Sequence, residues 1–149
     1  MPTEKARCAT LLPMDVTRRV LFLCVHNAGR SQMAAGWMRL LGDSTIGVLS
    51  AGSEPADQIN PMAVSAMADV GIDIAGHHPQ RWNEAMLEDI DVVITMGCGD
   101  ECPYVPGVRY IDWELPDPAG QSIEAVRGIR DEIERRIREL LDELAAMPG

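Results

Sequence analysis

Residues 19–32, with the sequence RVLFLCVHNAGRSQ, constrain the fold more than any other part of the chain. Four apolar residues lead directly into Cys24, and a short run of small and polar residues follows before Arg30. The apolar run predicts a buried strand over residues 20–23, and the spacing of apolar residues after Arg30 predicts a helix over residues 31–41. A buried strand, a tight loop and a helix in this order are typical of α/β proteins with a parallel sheet.

The same alternation continues along the chain. Further strands are predicted over residues 46–51, 92–96 and 108–111, and further helices over residues 61–71, 82–87 and 122–146. We therefore predict an α/β fold, a single domain with a four-stranded parallel sheet and helices on both faces. A length of 149 residues with 46% apolar residues is sufficient for one such core. Residues 1–17 are predicted to be a poorly ordered N-terminal extension, and residues 18–149 to form the domain.

The loop after the first strand has the composition of an anion-binding site. Successive backbone N–H groups and the N-terminus of the following helix can surround an oxyanion. In this chain those amides belong to Val25, His26, Asn27, Ala28, Gly29 and Arg30. The planar guanidinium of Arg30 matches two oxygens of a tetrahedral oxyanion. Asn27 and Gly29 are predicted to adopt positive φ angles, which both residue types tolerate.

The positive environment of this loop favours the thiolate form of Cys24, to which Ser31 can donate a hydrogen bond. We therefore predict that Cys24 is a nucleophile directed at a bound oxyanion. The alternative is a buried cysteine that serves only packing, because free cysteine behaves as a small hydrophobic residue. The strand before the loop, the helix after it and the residue types between them favour the nucleophile.

Two further cysteines, Cys98 and Cys102, follow the predicted third strand in a segment rich in Gly and Pro. Ligands of parallel sheets bind at the carboxyl ends of the strands, so Cys24, Cys98 and residues 112–117 are expected at one edge. In a reducing cytoplasm, cysteine pairs tend to be catalytic, redox-active or metal-binding. Cys98 and Cys102 are therefore candidates for redox chemistry, whereas Cys8 is interpreted as a spare thiol.

A zinc site is the alternative interpretation of Cys98 and Cys102. A closed structural zinc site needs four ligands, and Cys24 is already assigned to the loop. The three histidines, His26, His77 and His78, show no ligand spacing. We predict no metal site and no other cofactor.

Charge and composition restrict the partners and the location. The net charge of −10 disfavours binding to nucleic acid or to an anionic membrane surface. No apolar run approaches the roughly 18 residues of a membrane span, and the N-terminal residues lack the apolar region of a secretory signal. Four cysteines without an export signal favour the reducing cytoplasm. We predict a cytoplasmic monomer that binds neither nucleic acid nor membranes.

The loop resembles the phosphate-binding loop of the low-molecular-weight protein tyrosine phosphatases and of the arsenate reductases built on that fold. The segments CVHNAGRS, RSQMAAGW and LSAGSEP carry the similarity, which extends over nearly all of residues 19–146. The resemblance implies that Asp117, in the pair Asp117-Pro118, is the general acid that protonates the departing oxygen. Asp112 is a weaker candidate for this role, since it is expected to lie in a strand.

The residues after Asp117-Pro118 favour the reductases within this resemblance. Aromatic residues usually follow the Asp-Pro pair in the phosphatases, where they hold a phosphotyrosine ring, but Ala119 and Gly120 follow it here. Two features depart from the reductases. Ala28 stands where three-cysteine reductases often have a second loop cysteine, and the gap between Cys98 and Cys102 is short. The carboxylates with which some reductases bind potassium are also absent, so no potassium site is predicted.

The sequence thus predicts an arsenate reductase. Reduction of arsenate needs two electrons, so a second thiol must attack the first, and a third thiol allows the resulting disulfide to move outward. Cys24 would attack arsenate, Cys98 would attack Cys24 and release arsenite, and Cys102 would take over the disulfide. An external reductant, most simply thioredoxin, would then reduce the pair. Three alternatives remain open: a protein tyrosine phosphatase with protective cysteines, a thiol-based redox or metalloid sensor, and a reductase resolved by a low-molecular-weight thiol.

Overall fold

A four-stranded sheet organises the chain in the computed structural model, which describes residues 16–97 and 103–147. Its strands are β1 (Arg18–Cys24), β2 (Ile46–Gly52), β3 (Val92–Thr95) and β4 (Arg109–Asp112). All neighbouring strands pair in parallel, in the order β2-β1-β3-β4. Because β1 is paired on both sides and covered on both faces, its last five residues are all buried. This position explains the unbroken apolar run before Cys24.

The helices are α1 (Arg30–Leu41), α2 (Pro61–Ala68), α3 (Glu84–Leu87) and α4 (Ile123–Ala146). Buried residues of α1, α2 and α4 form one hydrophobic cluster with one face of β1 and β3. Residues of the short helix α3 pack against a second cluster, on the opposite face of the same strands. The predicted α/β domain with a four-stranded parallel sheet and helices on both faces is therefore confirmed.

Helix α4 follows its sequence pattern closely. Its N-cap is Ser122, whose side chain accepts a hydrogen bond from the backbone N–H of Ala125. The apolar residues at three-and-four spacing are the buried ones, namely Val126, Ile129, Ile133, Ile137, Leu140 and Leu144. The opposite face of α4 carries arginine–glutamate pairs one turn apart. In the residues described here, no helix is long and apolar enough to cross a membrane.

The boundaries of two helices differ from the prediction for local reasons. Helix α2 ends at Ala68 and not at Gly71, because the chain turns through Gly71 at a φ of 81°. Helix α3 begins at Glu84 because Asn83 caps it, accepting a hydrogen bond from the N–H of Met86. The preceding Trp82 instead donates its backbone N–H to the Gly52 carbonyl beside β2.

Three predictions fall wholly or largely outside the described residues. The extension of residues 1–17 has only its last two residues described, so its poor order and its boundary with the domain stay predictions. Cys8 and the pair Cys98 and Cys102 also lie outside the described residues.

Candidate active site

Cys24 is the last residue of β1, and the first turn of α1 lies beside it. Its side chain is only 2% exposed, and its Sγ lies 2.9 Å from the Oγ of Ser31. The strand brings the thiol to the carboxyl edge of the sheet, and the loop returns the chain so that Ser31 stands next to it. The two side chains predicted to interact are therefore in hydrogen-bond contact.

The loop backbone between Cys24 and α1 has its carbonyl groups bound by a neighbouring segment. The carbonyl oxygens of Val25, His26 and Ala28 accept hydrogen bonds at 2.8, 3.0 and 2.8 Å from backbone N–H groups of residues 54–60. The N–H groups of residues 25–30 bind no acceptor within the described part of the chain. A run of successive unpaired N–H groups at a helix N-terminus is the arrangement that binds anions in proteins.

The two loop residues predicted to have positive φ angles behave differently. Asn27 has a φ of 50°, as predicted. The prediction for Gly29 is wrong, because its φ is −135°. Gly29 is needed for space instead, since a Cβ at this position would lie 2.6 Å from Cγ of Pro118.

The guanidinium of Arg30 is nearly buried, and it contacts residues that lie outside its own helix. Its Nη1 donates to the carbonyl oxygen of Leu115 at 3.2 Å, and its Nη2 lies 4.0 Å from Oδ2 of Asp117. Gly97, with a φ of 88°, lies directly against it, because a Cβ there would be 2.8 Å from Nη1. Arg30 is thus oriented by the ends of β3 and β4 as well as by its own helix.

Asp117 belongs to a turn at the rim of the site. Its Oδ1 accepts a hydrogen bond from the N–H of Ala119 at 3.0 Å, and its side chain is about half exposed. Asp112, the weaker candidate for the acid, lies in β4 and accepts a hydrogen bond from Oγ1 of Thr95 at 2.7 Å. The structure therefore places Asp117, and not Asp112, beside the loop.

A small cavity of about 40 Å³ joins these groups. It is lined by Cys24, His26, Ala28, Gly29, Arg30, Asn60, Asp117, Pro118 and Ala119. One buried water needs roughly 10–15 Å³, so the cavity has room for a small ion. No Phe, Tyr or Trp lines it among the residues described. The ring of His26 is held by a contact of 3.0 Å between its Nδ1 and the Glu54 carbonyl oxygen.

The arrangement supports nucleophilic substitution at a small oxyanion. Cys24, Arg30 and Asp117 line one cavity, together with loop residues whose backbone N–H groups bind no acceptor within the described part of the chain. No group of three or more His, Cys, Asp or Glu side chains able to hold a metal occurs between residues 16 and 147, apart from 98–102, which are not described. The placement of Cys98 and Cys102 relative to Cys24 stays a prediction.

Sequence reasoning missed three residues that support the site. Gly97 and Leu115 contact Arg30 from other segments of the chain, and Gln32 binds the loop from behind. Gly97 precedes Cys98 in a segment noted only for its thiols. Gln32 lies in the first turn of α1, where a polar residue is usually solvated, so its sequence position did not indicate a buried role.

Comparison with known proteins gives one family and consistent relatives. Residues 19–147 match the family described as low molecular weight phosphotyrosine protein phosphatase. Arsenate reductase 1 of Bacillus cereus is 41% identical over 130 residues, which cover 84% of this chain and 95% of the relative. The glutaredoxin arsenate reductase of Synechocystis is 37% identical over 131 residues, which cover 86% and 99%.

A solved structure gives the same result. The thioredoxin-dependent arsenate reductase of Corynebacterium glutamicum is 40% identical to this chain and matches it with a TM-score of 0.74. The match covers 87% of this chain and 62% of that protein. The predicted resemblance to arsenate reductases built on the phosphatase fold is therefore confirmed. The chain belongs to the low molecular weight phosphotyrosine protein phosphatase family.

Proposed function

We propose that the protein reduces arsenate to arsenite, with Cys24 as its nucleophile. The observation that carries the proposal is the cavity of about 40 Å³ in which Cys24, Arg30 and Asp117 meet. Ala119 lines its rim, where a phosphatase for aryl substrates would need an aromatic clamp. The names of the relatives from Bacillus cereus, Synechocystis and Corynebacterium glutamicum support the same substrate.

Binding of the oxyanion depends on local donors, because the net charge of −10 repels an anion at long range. The N–H groups of residues 25–30 and the fork of Arg30 bind the arsenate oxygens. The Cys24 thiolate attacks arsenic, so that a sulfur–arsenic bond forms as an arsenic–oxygen bond breaks. Asp117 protonates the departing oxygen, which leaves as water.

The redox step uses the second thiol. The Cys98 thiolate attacks Sγ of Cys24, and the electron pair of the sulfur–arsenic bond passes to arsenic, which leaves as arsenite. Two thiols have then become a Cys24–Cys98 disulfide, and arsenate has gained two electrons. Cys102 attacks Cys98, which frees Cys24 and leaves a Cys98–Cys102 disulfide for the external reductant.

Thioredoxin is the proposed reductant. The Corynebacterium glutamicum relative is described as thioredoxin-dependent, whereas the Synechocystis relative is described as a glutaredoxin arsenate reductase. A pair of neighbouring cysteines within the protein suits thioredoxin, which exchanges with protein disulfides. The proposal includes a cytoplasmic monomer, with the domain over residues 18–149, that binds neither nucleic acid nor membranes.

Phosphatase activity is the second candidate function, and the family description favours it. The loop, Arg30 and Asp117 suit phosphate as well as arsenate, because the two oxyanions share charge and shape. A phosphatase would need only Cys24, since water completes its cycle. Cys98 and Cys102 would then protect Cys24 from overoxidation.

The deciding experiment is a coupled assay of the purified protein. Arsenate, thioredoxin, thioredoxin reductase and NADPH are mixed with the protein, and the loss of NADPH is followed. We expect oxidation of NADPH that depends on arsenate and is abolished in Cys24→Ser, because serine does not form an anion comparably at neutral pH. Replacing thioredoxin with glutathione and glutaredoxin identifies the reductant. Fast hydrolysis of an aryl phosphate, without any arsenate-dependent loss of NADPH, would assign the protein as a phosphatase.

A further inference from the structure

Gln32, in the first turn of α1, is a buried amide that faces three oxygen atoms. The residue is 2% exposed, and its Nε2 lies 3.1 Å from the Asn27 carbonyl oxygen and 3.2 Å from Oδ1 of Asn27. The carbonyl oxygen of His78 lies 3.5 Å from the same nitrogen. All of these partners are acceptors, so this end of the side chain must be the amino group. Gln32 therefore acts as a donor behind the anion loop.

Together with the backbone N–H of Gln80, this donor determines the orientation of the Asn27 side chain. Oδ1 of Asn27 accepts from Gln32 and also from the backbone N–H of Gln80 at 2.9 Å. Since both neighbours are donors, the oxygen of the Asn27 amide must face them. Nδ2 of Asn27 consequently faces Ser31 and donates to its Oγ at 2.7 Å.

The orientation of Asn27 in turn determines the direction of the hydrogen bond at the thiol. Because Ser31 Oγ accepts from Asn27, its own hydrogen is available for Sγ of Cys24, 2.9 Å away. A hydroxyl that donates to sulfur stabilises the thiolate over the thiol. A chain of donors thus runs from Gln32 through Asn27 and Ser31 to Cys24.

We propose that Gln32 is a positioning residue that sets the reactivity of the Cys24 thiol through Asn27 and Ser31. The inference deepens the proposed function, since it rests on Cys24 being the nucleophile. The charged and titratable groups that share the cavity with Cys24 are His26, Arg30 and Asp117. A change at Gln32 leaves all three in place, so its effect reports on the donor chain.

The test measures the alkylation of Cys24 by iodoacetamide as a function of pH in Gln32→Met and Gln32→Leu. Because the chain has four cysteines, each is followed separately by mass spectrometry of its peptide. We expect the rate at Cys24 to fall about fivefold at neutral pH in both variants, because Oδ1 of Asn27 then keeps only one of its two donors and the Ser31 hydroxyl is held less firmly towards Sγ. Gln32→Leu also removes the donor, with a second apolar side chain of similar volume, so it gives the comparison even where Gln32→Met folds poorly.

Gln80→Met is the matched control. It removes a neighbouring amide that donates to the Ser50 carbonyl oxygen at 2.9 Å, but it retains the backbone N–H that binds Asn27. We expect its alkylation profile to stay within about twofold of the parent, because the donor chain is intact. An equal loss in Gln80→Met and Gln32→Met would mean that Gln32 only supports the fold, and would overturn the proposal.

A double variant distinguishes a positioning role of Gln32 from a non-specific loss of structure. In a Ser31→Ala background the chain to Cys24 is already broken, so adding Gln32→Met should change the alkylation rate no further. Additive losses, or a parent-like profile in Gln32→Leu, would overturn the inference. Alkylation needs no arsenate, so a parent protein that fails to reduce arsenate but shows the expected Gln32 dependence would contradict the proposed function alone.

Discussion

Gly29 and Pro118 lie so close together that no side chain fits between them. A Cβ added at Gly29 would stand 2.6 Å from Cγ of Pro118, well inside van der Waals contact. The contact joins the anion loop to the turn that carries Asp117, across the cavity that both segments line. The position of the proposed acid therefore depends on a glycine far away in the sequence.

Gly29→Ala is expected to move the Asp117-Pro118 turn away from the loop. A misplacement of about 1 Å at a reacting group can lower a rate about 100-fold, so arsenate turnover should fall by up to this factor. The matched control is Gly128→Ala in α4, where an added Cβ meets no described atom within 4 Å. That control should keep its activity and gain up to about 1 kcal/mol of stability. Unchanged turnover in Gly29→Ala would mean that the turn has no role in the reaction.

Arg30→Lys is expected to lower arsenate turnover by roughly 100-fold or more, because an ammonium cannot replace the planar fork. The Leu115 carbonyl, which accepts from Nη1 at 3.2 Å, would also lose its partner. Arg138→Lys is the control, because it keeps the charge of an exposed pair with Glu134. Steady-state kinetics of the three proteins give the comparison. Near-normal activity in Arg30→Lys would mean that the loop does not bind the oxyanion through this side chain.

Single-turnover products reveal the order in which Cys98 and Cys102 act after Cys24. We expect Cys102→Ser to release one arsenite and stop as a Cys24–Cys98 disulfide, and Cys98→Ser to stall without a comparable burst. Cys8→Ser should behave like the parent. Peptide mapping of the oxidised variants by mass spectrometry identifies the bridges.

Two results would contradict this order. Efficient formation of a Cys24–Cys102 bridge in Cys98→Ser would reverse the roles of the two thiols. Full turnover of the Cys98→Ser, Cys102→Ser double variant with a small thiol would instead establish coupling to a low-molecular-weight thiol.

Glu132 on α4 should contribute stability that is lost in acid. Hydrogen bonds from Arg135 and then Arg136 lower the pKa of its carboxyl from 4.5 to about 2. A lowered folded-state pKa gives stability that is complete above about pH 4.5 and disappears as the pH falls towards about 2. Arg135 is largely exposed, and Glu132 and Arg136 are partly exposed, so solvent screens these ion pairs. Glu132→Gln should therefore cost no more than about 1 kcal/mol at neutral pH.

Urea unfolding at several pH values measures this contribution. The difference between Glu132→Gln and the parent should shrink steadily as the pH is lowered below about 4.5. Glu88→Gln is the control, since Glu88 forms no ion pair within the described residues. A difference that stays constant with pH would assign the effect of Glu132→Gln to helix propensity and not to charge.

The sequence by itself determined the elements and the chemistry of the loop. The buried run before Cys24 and the three-and-four spacing of α4 predicted a strand and a helix, because burial on both faces and burial on one stripe leave different patterns. The spacing of Cys24, Arg30 and Ser31 predicted an anion site for the same local reason, since a strand, a loop and a helix N-terminus are contiguous in the chain. The end of α2 and the start of α3 were not predicted correctly, because the turn at Gly71 and capping by Asn83 each depend on a single residue.

Only the tertiary structure decided what surrounds that loop. Gly29 was predicted to need a positive φ angle, but its role depends on Pro118, which no local pattern connects to it. Gly97 and Leu115 can support Arg30 because parallel pairing places the end of β3 beside that of β1, and the end of β4 beside that of β3. Long-range packing of this kind depends on strand order and on the fit of side chains across the sheet edge. One-dimensional periodicity records which residues are buried, but not which residues meet.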